Sequence, residues 1–166
     1  RALKEITHLK NAEGQWRSLA ATDVDNDGDL DIIAGNLGLN NKYKASPERP
    51  IKMYAKDLDG NGSLDPVMAY FIKSATGELK LYPAITRDQF AAQVPSVKKK
   101  FLHHEEYSRA DIDKVFEGVD QEDLIELSCN ETRSVWIENK GKGTFEIHPF
   151  PLEAQFAPVN SIVAAD

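Results

Sequence analysis

Two short acidic stretches, Asp23-Val-Asp-Asn-Asp-Gly-Asp-Leu-Asp31 and Asp57-Leu-Asp-Gly-Asn-Gly-Ser-Leu-Asp65, constrain this chain more than any other feature. Both follow D-x-[DN]-x-[DN]-G-x-x-D, or nearly so. Carboxylates on alternate residues of a tight turn repel one another unless a cation sits among them, and hard oxygen donors at this spacing suit Ca²⁺, bound at about 2.3–2.6 Å. In the first loop Asp23, Asp25 and Asp27 are expected to supply side-chain oxygens at positions one, three and five, Asp29 its backbone carbonyl, and Asp31 the closing ligand. In the second, Asp57, Asp59, Asn61, the carbonyl of Ser63 and Asp65 take those places. Gly28 and Gly62 fall at position six, where a sharp turn calls for a left-handed backbone without a Cβ penalty. The expectation is two structural Ca²⁺ sites, each filled by protein oxygens.

An EF-hand begins in the same way but requires a bidentate Glu at position twelve and a helix on either side. Position twelve is Ala34 in the first loop and Met68 in the second, so that reading fails twice. The flanks agree. Ser18-Leu-Ala-Ala-Thr22 and Ile51-Lys-Met-Tyr-Ala55 lead in, while Ile32-Ile-Ala-Gly35 and Pro66-Val-Met-Ala-Tyr70 lead out. Short apolar runs bounded by turn residues predict that each loop joins two strands.

Strand, nine-residue acidic loop, strand is the pattern of the FG-GAP or VCBS repeat, the blade unit of integrin-like β-propellers. The chain resembles it closely over Gly14 to Tyr70, through Gly14-Gln-Trp16, the two acidic loops and Gly35-Asn-Leu-Gly-Leu-Asn40. It is most similar to bacterial VCBS-repeat proteins related to cartilage acidic protein, often long secreted or surface-anchored chains. Gln93-Val-Pro-Ser-Val-Lys-Lys-Lys-Phe101 and Pro151-Leu-Glu-Ala-Gln-Phe-Ala-Pro-Val159 are also like segments of that group. The resemblance implies a mainly β fold, a partial β-propeller of FG-GAP/VCBS blades with a small helical insertion.

Ser161-Ile-Val-Ala-Ala-Asp166 repeats the pattern of Ser18-Leu-Ala-Ala-Thr-Asp23, which predicts a strand through Ile162 to Ala165 and a third loop starting at Asp166. Loop starts at 23, 57 and 166 lie 57 − 23 = 34 and 166 − 57 = 109 residues apart, so an insertion is expected in the second interval. The expected organisation is propeller blades with two calcium loops over 1–85, a helical insertion over 86–127, and returning blade strands over 128–166, cut off at the third loop. Propellers close with roughly four to eight blades, and two to three fit here. The chain therefore reads as a fragment whose exposed blade edges would favour pairing with a second copy.

Helix formers concentrate after Thr86. A helix is predicted from Ser96 through Glu106 behind Pro95, a second from an N-cap at Ser108 with Ile112, Val115 and Phe116 on one side, and a third over Asp120 to Leu127, the whole projecting from the propeller. Strands return at Arg133–Glu138 and Thr144–His148, joined by the turn 139–143 into a hairpin.

The 166 residues carry a net charge of −7, yet the two loops hold eight of the 27 acidic residues, and two Ca²⁺ would bring −7 to −3. The acidity is mostly that of the metal sites. Lys98, Lys99 and Lys100 with His103 and His104 lack the aromatic motif of an RNA-binding surface, so no nucleic-acid partner is expected. Adjacent histidines do not have the i, i+4 spacing of helical zinc ligands. Cys129 is the only cysteine, which rules out an internal disulfide and suits a small buried residue. No membrane span or signal peptide is visible in the sequence. Sites of this kind bind Ca²⁺ at about 10⁻⁴–10⁻³ M in extracellular modules, which points to an extracellular, periplasmic or cell-surface location.

No G-x-S-x-G, Walker loop or Cys-His signature is present, and the loop aspartates are committed to metal. The reading is a non-enzymatic binding or adhesion scaffold for a glycan or protein. The alternative is the accessory or catalytic propeller of a calcium-dependent polysaccharide-degrading enzyme, which would show an open metal shell or a converging acid and base pair. Trp16 and Trp136 are expected in the core, and the loop Gly35–Tyr43 is a candidate binding loop.

Overall fold

The computed structural model describes Leu9 and residues 12–165. Strands β1 (Ser18–Thr22) and β2 (Asp31–Gly35) flank the first acidic loop, and β3 (Ile51–Lys56) and β4 (Asp65–Lys73) flank the second. There follow β5 (Leu79–Pro83), helices α1 (Arg87–Gln93), α2 (Val97–Lys100), α3 (His104–Ser108) and α4 (Ile112–Val115), then β6 (Ile125–Cys129), β7 (Val135–Asn139), β8 (Phe145–Pro149) and a 3-10 turn, Leu152–Gln155. The fold is mainly β, with two four-stranded antiparallel sheets, β1-β2-β7-β8 and β5-β4-β3-β6. Both are open; the described residues contain no closed ring of blades. The chain divides into two compact units, 1–48 with 129–166, and 49–128.

In the first unit the register aligns Ile32 with Ile137 and Ile147, and Ile33 with Trp136 and His148. Side chains alternate between faces along a strand, so Ala34, Val135, Ile32, Ile137, Ile147 and Phe145 share one face. Trp16 packs there as expected. Trp136 does not. It lies on the opposite face, stacked on His148 with ring centroids 4.6 Å apart, because the hairpin register puts it out of step with Val135 and Ile137.

Polar groups close the end of this sheet. Asn36 is fully buried, its Nδ2 donating to Glu131 O at 2.9 Å while its N–H donates to Ser134 Oγ at 3.0 Å. The N–H of Ser134 donates to Gln155 Oε1 and Gln155 Nε2 donates back to Ser134 O, at 2.8 and 2.9 Å. Gly38 and Leu39 donate to Thr132 O and Gln155 O. The Gly35–Tyr43 loop, expected as a binding loop, is thus anchored at its first half by structural hydrogen bonds.

In the second unit Tyr54, Val67 and Ala69 of the sheet pack with Phe90, Val94, Val97, Phe101, Tyr107, Ile112, Val115 and Phe116 of the helical segment. Burying each of the larger side chains contributes about 1.5–3 kcal/mol. The helices do not project; they form the second layer of this core, with Phe101 and Tyr107 edge to face at 5.3 Å. They are short because each is interrupted. Helix α1 starts at a Thr86–Gln89 capping box. The helix expected over Ser96–Glu106 breaks at extended Phe101 and resumes at His104. Ser108 ends α3, its Oγ donating to Glu105 O, and Asp111 caps α4 in its place, accepting from the N–H of Lys114 at 3.1 Å.

Two further expectations are corrected. Asp120–Leu127 is not helical: Asp123 takes a left-handed φ of 61°, and Ile125–Cys129 joins the second sheet beside β3. Ile162–Ala165 forms no strand. Val159 makes one ladder-like bond to Asn36 O, and beyond it the segment pairs with no strand among the described residues. The expected third loop at Asp166 lies outside the described residues. Cys129 is buried and free, and burial pushes its thiol pKa up.

Candidate metal sites

Each acidic loop spans a two-strand hairpin, and the strand ends fix where its carboxylates meet. Position one of both loops works in the same way. Asp23 Oδ1 accepts from the N–H of Asp27 at 3.2 Å and Oδ2 from Gly28 at 3.0 Å; Asp57 Oδ1 accepts from Asn61 at 3.0 Å and Oδ2 from Gly62 at 2.8 Å. Position three accepts from position five, Asp25 from Asp27 at 3.3 Å and Asp59 from Asn61 at 3.2 Å. Position five accepts from position seven, Asp27 from Asp29 and Asn61 from Ser63, both at 2.8 Å. Position nine accepts from position two, Asp31 from Val24 at 2.8 Å and Asp65 from Leu58 at 2.9 Å. The two loops therefore share these hydrogen bonds despite their different residues, and the second adds one from the Gly60 N–H to Asp57 Oδ1 at 2.8 Å.

That pattern turns side-chain oxygens inward. Asp23, Asp25 and Asp27 bring one carboxylate oxygen each to within 4.8 Å of one another, as do Asp57, Asp59 and Asp65. Three converging carboxylates carry −3 in a small volume, a donor set that could hold a hard divalent cation. The backbone requirement is stricter than the sequence pattern suggests. Position six is left-handed, with φ of 96° at Gly28 and 86° at Gly62, and so is position four, with φ of 63° at Asn26 and 76° at Gly60. Asn and Gly are the residues that tolerate that region, so position four was readable and was missed.

The ninth position differs between the loops. Asp65, 5% exposed, joins its cluster. Asp31, 1% exposed, stands outside the Asp23–Asp25–Asp27 group, its second oxygen accepting from the N–H of Asn139 at 2.8 Å. Asp31 thereby ties the first loop to the end of β7. Asp29, expected to ligate through its backbone carbonyl, donates its N–H to Asp27 Oδ1 at 2.8 Å. Electrostatics follow the geometry. Partial desolvation and the charge of Asp27 hold the Asp25 carboxyl above its ordinary value. The N–H of Gly62, followed by those of Asn61 and Gly60, holds the Asp57 carboxyl below its own.

A third group was not anticipated. Glu138, Glu146 and His148 place ligand atoms within 4.8 Å of one another on the Trp136 face of the first sheet. Glu138 and Glu146 are direct cross-strand partners and His148 is two residues further along β8. The Asn139–Gly143 turn sets this register, so the group was derivable once the hairpin was paired. In the second unit, an open cleft of about 620 Å³ runs along β5 beside α3 and α4, lined among others by Tyr82, Arg109 and the Lys80–Asp111 ion pair at 3.2 Å. No helix among the described residues is long and apolar enough to cross a membrane.

Two hairpins whose connections are acidic loops of one pattern are a feature of repeat-built β proteins. The family model that matches is the FG-GAP repeat, over residues 15–45, which take in β1, the first acidic loop and β2. A match to that repeat suggests a propeller-type binding domain. No curated protein and no solved structure gives a match.

Proposed function

We propose that this chain is a calcium-binding β-propeller module that serves as a non-enzymatic scaffold for a glycan or protein ligand at the cell surface or in a secreted protein. One observation carries the reading: two loops of different sequence share the same hydrogen bonds and each gathers three carboxylates. A turn selected only for its shape has no need to concentrate like charges; a turn that chelates Ca²⁺ does. The ion's role is structural, holding each hairpin by cancelling the repulsion within its loop. Four antiparallel strands are the content of one propeller blade, which supports reading each sheet as blade-like. The quoted motifs over Gly14–Tyr70 support kinship with the bacterial proteins related to cartilage acidic protein. The cleft beside β5, with Tyr82 and charged donors on its walls, offers a surface for a polar ligand.

The test is a calorimetric Ca²⁺ titration of the whole chain and of Asp25→Ala and Asp59→Ala. Two sites, one lost in each variant, together with a melting temperature that falls in EDTA, support the reading. A wild-type protein that binds no Ca²⁺ and melts identically with and without EDTA overturns it.

A further inference from the structure

The Trp136 face of the first sheet carries a donor set unlike that of either loop. Glu138 is 7% exposed and is held from both sides: Lys140 Nζ contacts its Oε1, and His148 Nε2 lies 2.7 Å from its Oε2. Glu146 stands directly opposite Glu138 on β8. Like charges at such a position repel. Asp25 adds a further carboxylate within hydrogen-bonding reach of Glu138. Lys140 is the lysine against this group, so one fixed positive charge faces three carboxylates. The ring of His148 is kept in place by its stack on Trp136, at 4.6 Å and 23° between planes.

We propose that Glu138, Glu146 and His148 form a binding site for a borderline divalent transition-metal cation of the Zn²⁺ class, adjoining the first all-oxygen loop at Asp25 and distinct from it in its nitrogen donor. An imidazole nitrogen with two carboxylates is a donor set that Zn²⁺ accepts, at about 2.0–2.2 Å, and that Ca²⁺, with its preference for six to eight oxygens, does not. The ligand atoms lie within 4.8 Å of one another. A tetrahedral shell with such bonds sets its ligands about 3.3–3.5 Å apart, so the metal would displace the 2.7 Å His148–Glu138 contact and draw in exposed Glu146. The stack on Trp136 acts as an outer-shell contact that orients His148.

The experiment is a Zn²⁺ titration of the full chain held in saturating Ca²⁺, paired with Co²⁺ absorption in the visible. One Zn²⁺ site with Co²⁺ ligand-field bands is expected. His148→Gln and Glu146→Gln should each weaken Zn²⁺ binding by at least about tenfold, the lower bound even for an outer-shell change, and leave the Ca²⁺ isotherm intact. Glu146 is exposed, so its variant tests the site without a folding penalty even if His148→Gln unfolds. Absence of Zn²⁺ binding in the wild type, or binding unchanged in Glu146→Gln, overturns the proposal and leaves the group as an ion-pair network.

Discussion

The backbone of Ser134 is bonded twice to one side chain: its N–H donates to Gln155 Oε1 at 2.8 Å and its carbonyl accepts from Gln155 Nε2 at 2.9 Å. A primary amide thus extends the bonding of the β7 backbone one residue beyond its pairing with β8. Gln155 is 1% exposed, and truncating it would orphan the Ser134 N–H, whereas the Ser134 carbonyl keeps the Phe150 N–H at 3.1 Å. Each orphaned buried backbone group costs about 1–3 kcal/mol. Gln155→Ala should lower stability by about 1–3 kcal/mol in denaturant unfolding. A loss under about 0.5 kcal/mol would show that water takes over the role of the amide.

Asp31 and Asp25 sit in the same loop but should fail differently. Both oxygens of Asp31 serve backbone N–H groups, those of Val24 and Asn139, whereas Asp25 belongs to the carboxylate cluster. In EDTA, Asp31→Ala is expected to cost about 2–4 kcal/mol for two orphaned donors, and Asp25→Ala close to nothing. In Ca²⁺ both should be destabilised. Melting curves of the two variants with and without EDTA separate scaffold from ligand.

Gly28 has a φ of 96° and nothing within 4 Å of where a Cβ would stand. Its substitution therefore tests backbone conformation alone. Gly28→Ala should cost about 1–2 kcal/mol and Gly28→Asn less, since Asn26 already occupies the left-handed region two residues earlier. A larger loss for Gly28→Asn than for Gly28→Ala would mean that side-chain volume, not φ, is limiting. Gly35 is the contrast, because an added Cβ would meet Val159 O at 2.5 Å.

Burial pushes the Tyr107 phenol up to about 12, and its Oη donates to Ile85 O at 3.0 Å. A raised folded-state pKa gives stability that is full below the unfolded value of about 10 and is lost as pH rises towards 12. Thermal unfolding from pH 8 to 11.5 should show this decline in the wild type, and the decline should shrink in Tyr107→Phe. The variant should also be less stable at pH 8 by about 1 kcal/mol for the lost hydrogen bond. A pH profile identical in both proteins would remove Tyr107 from the alkaline transition.

Local chemistry made part of this molecule legible. The hairpins around both acidic loops and the β7–β8 hairpin follow from alternating apolar residues and turn residues a few positions apart, and the structure places those strands within a residue or two of expectation, except that β4 runs three residues further, to Lys73. Elements defined by distant partners were not legible. Strand β6 was read as helix because Asp120-Gln-Glu-Asp has helical composition, while its pairing with β3 is set some 70 residues away. Helix α1 was overlooked although Thr86 and Gln89 spell a capping box, and β5 was overlooked although Leu79 and Leu81 alternate behind the Gly77 turn. The Glu138–Glu146–His148 group needs a cross-strand register, which no linear motif records.

The partners Ile32 and Ile137 in the middle of the first sheet are 137 − 32 = 105 positions apart, with the whole of 49–128 strung between them. Contacts of such separation carry their loop-closure entropy before they repay it, and they form late. The hairpin of β3 and β4, whose register partners are close in sequence, has no such delay. Both acidic loops lie in local hairpins, but the first gains its tie from Asp31 to the Asn139 N–H only when that long-range strand pairing is in place.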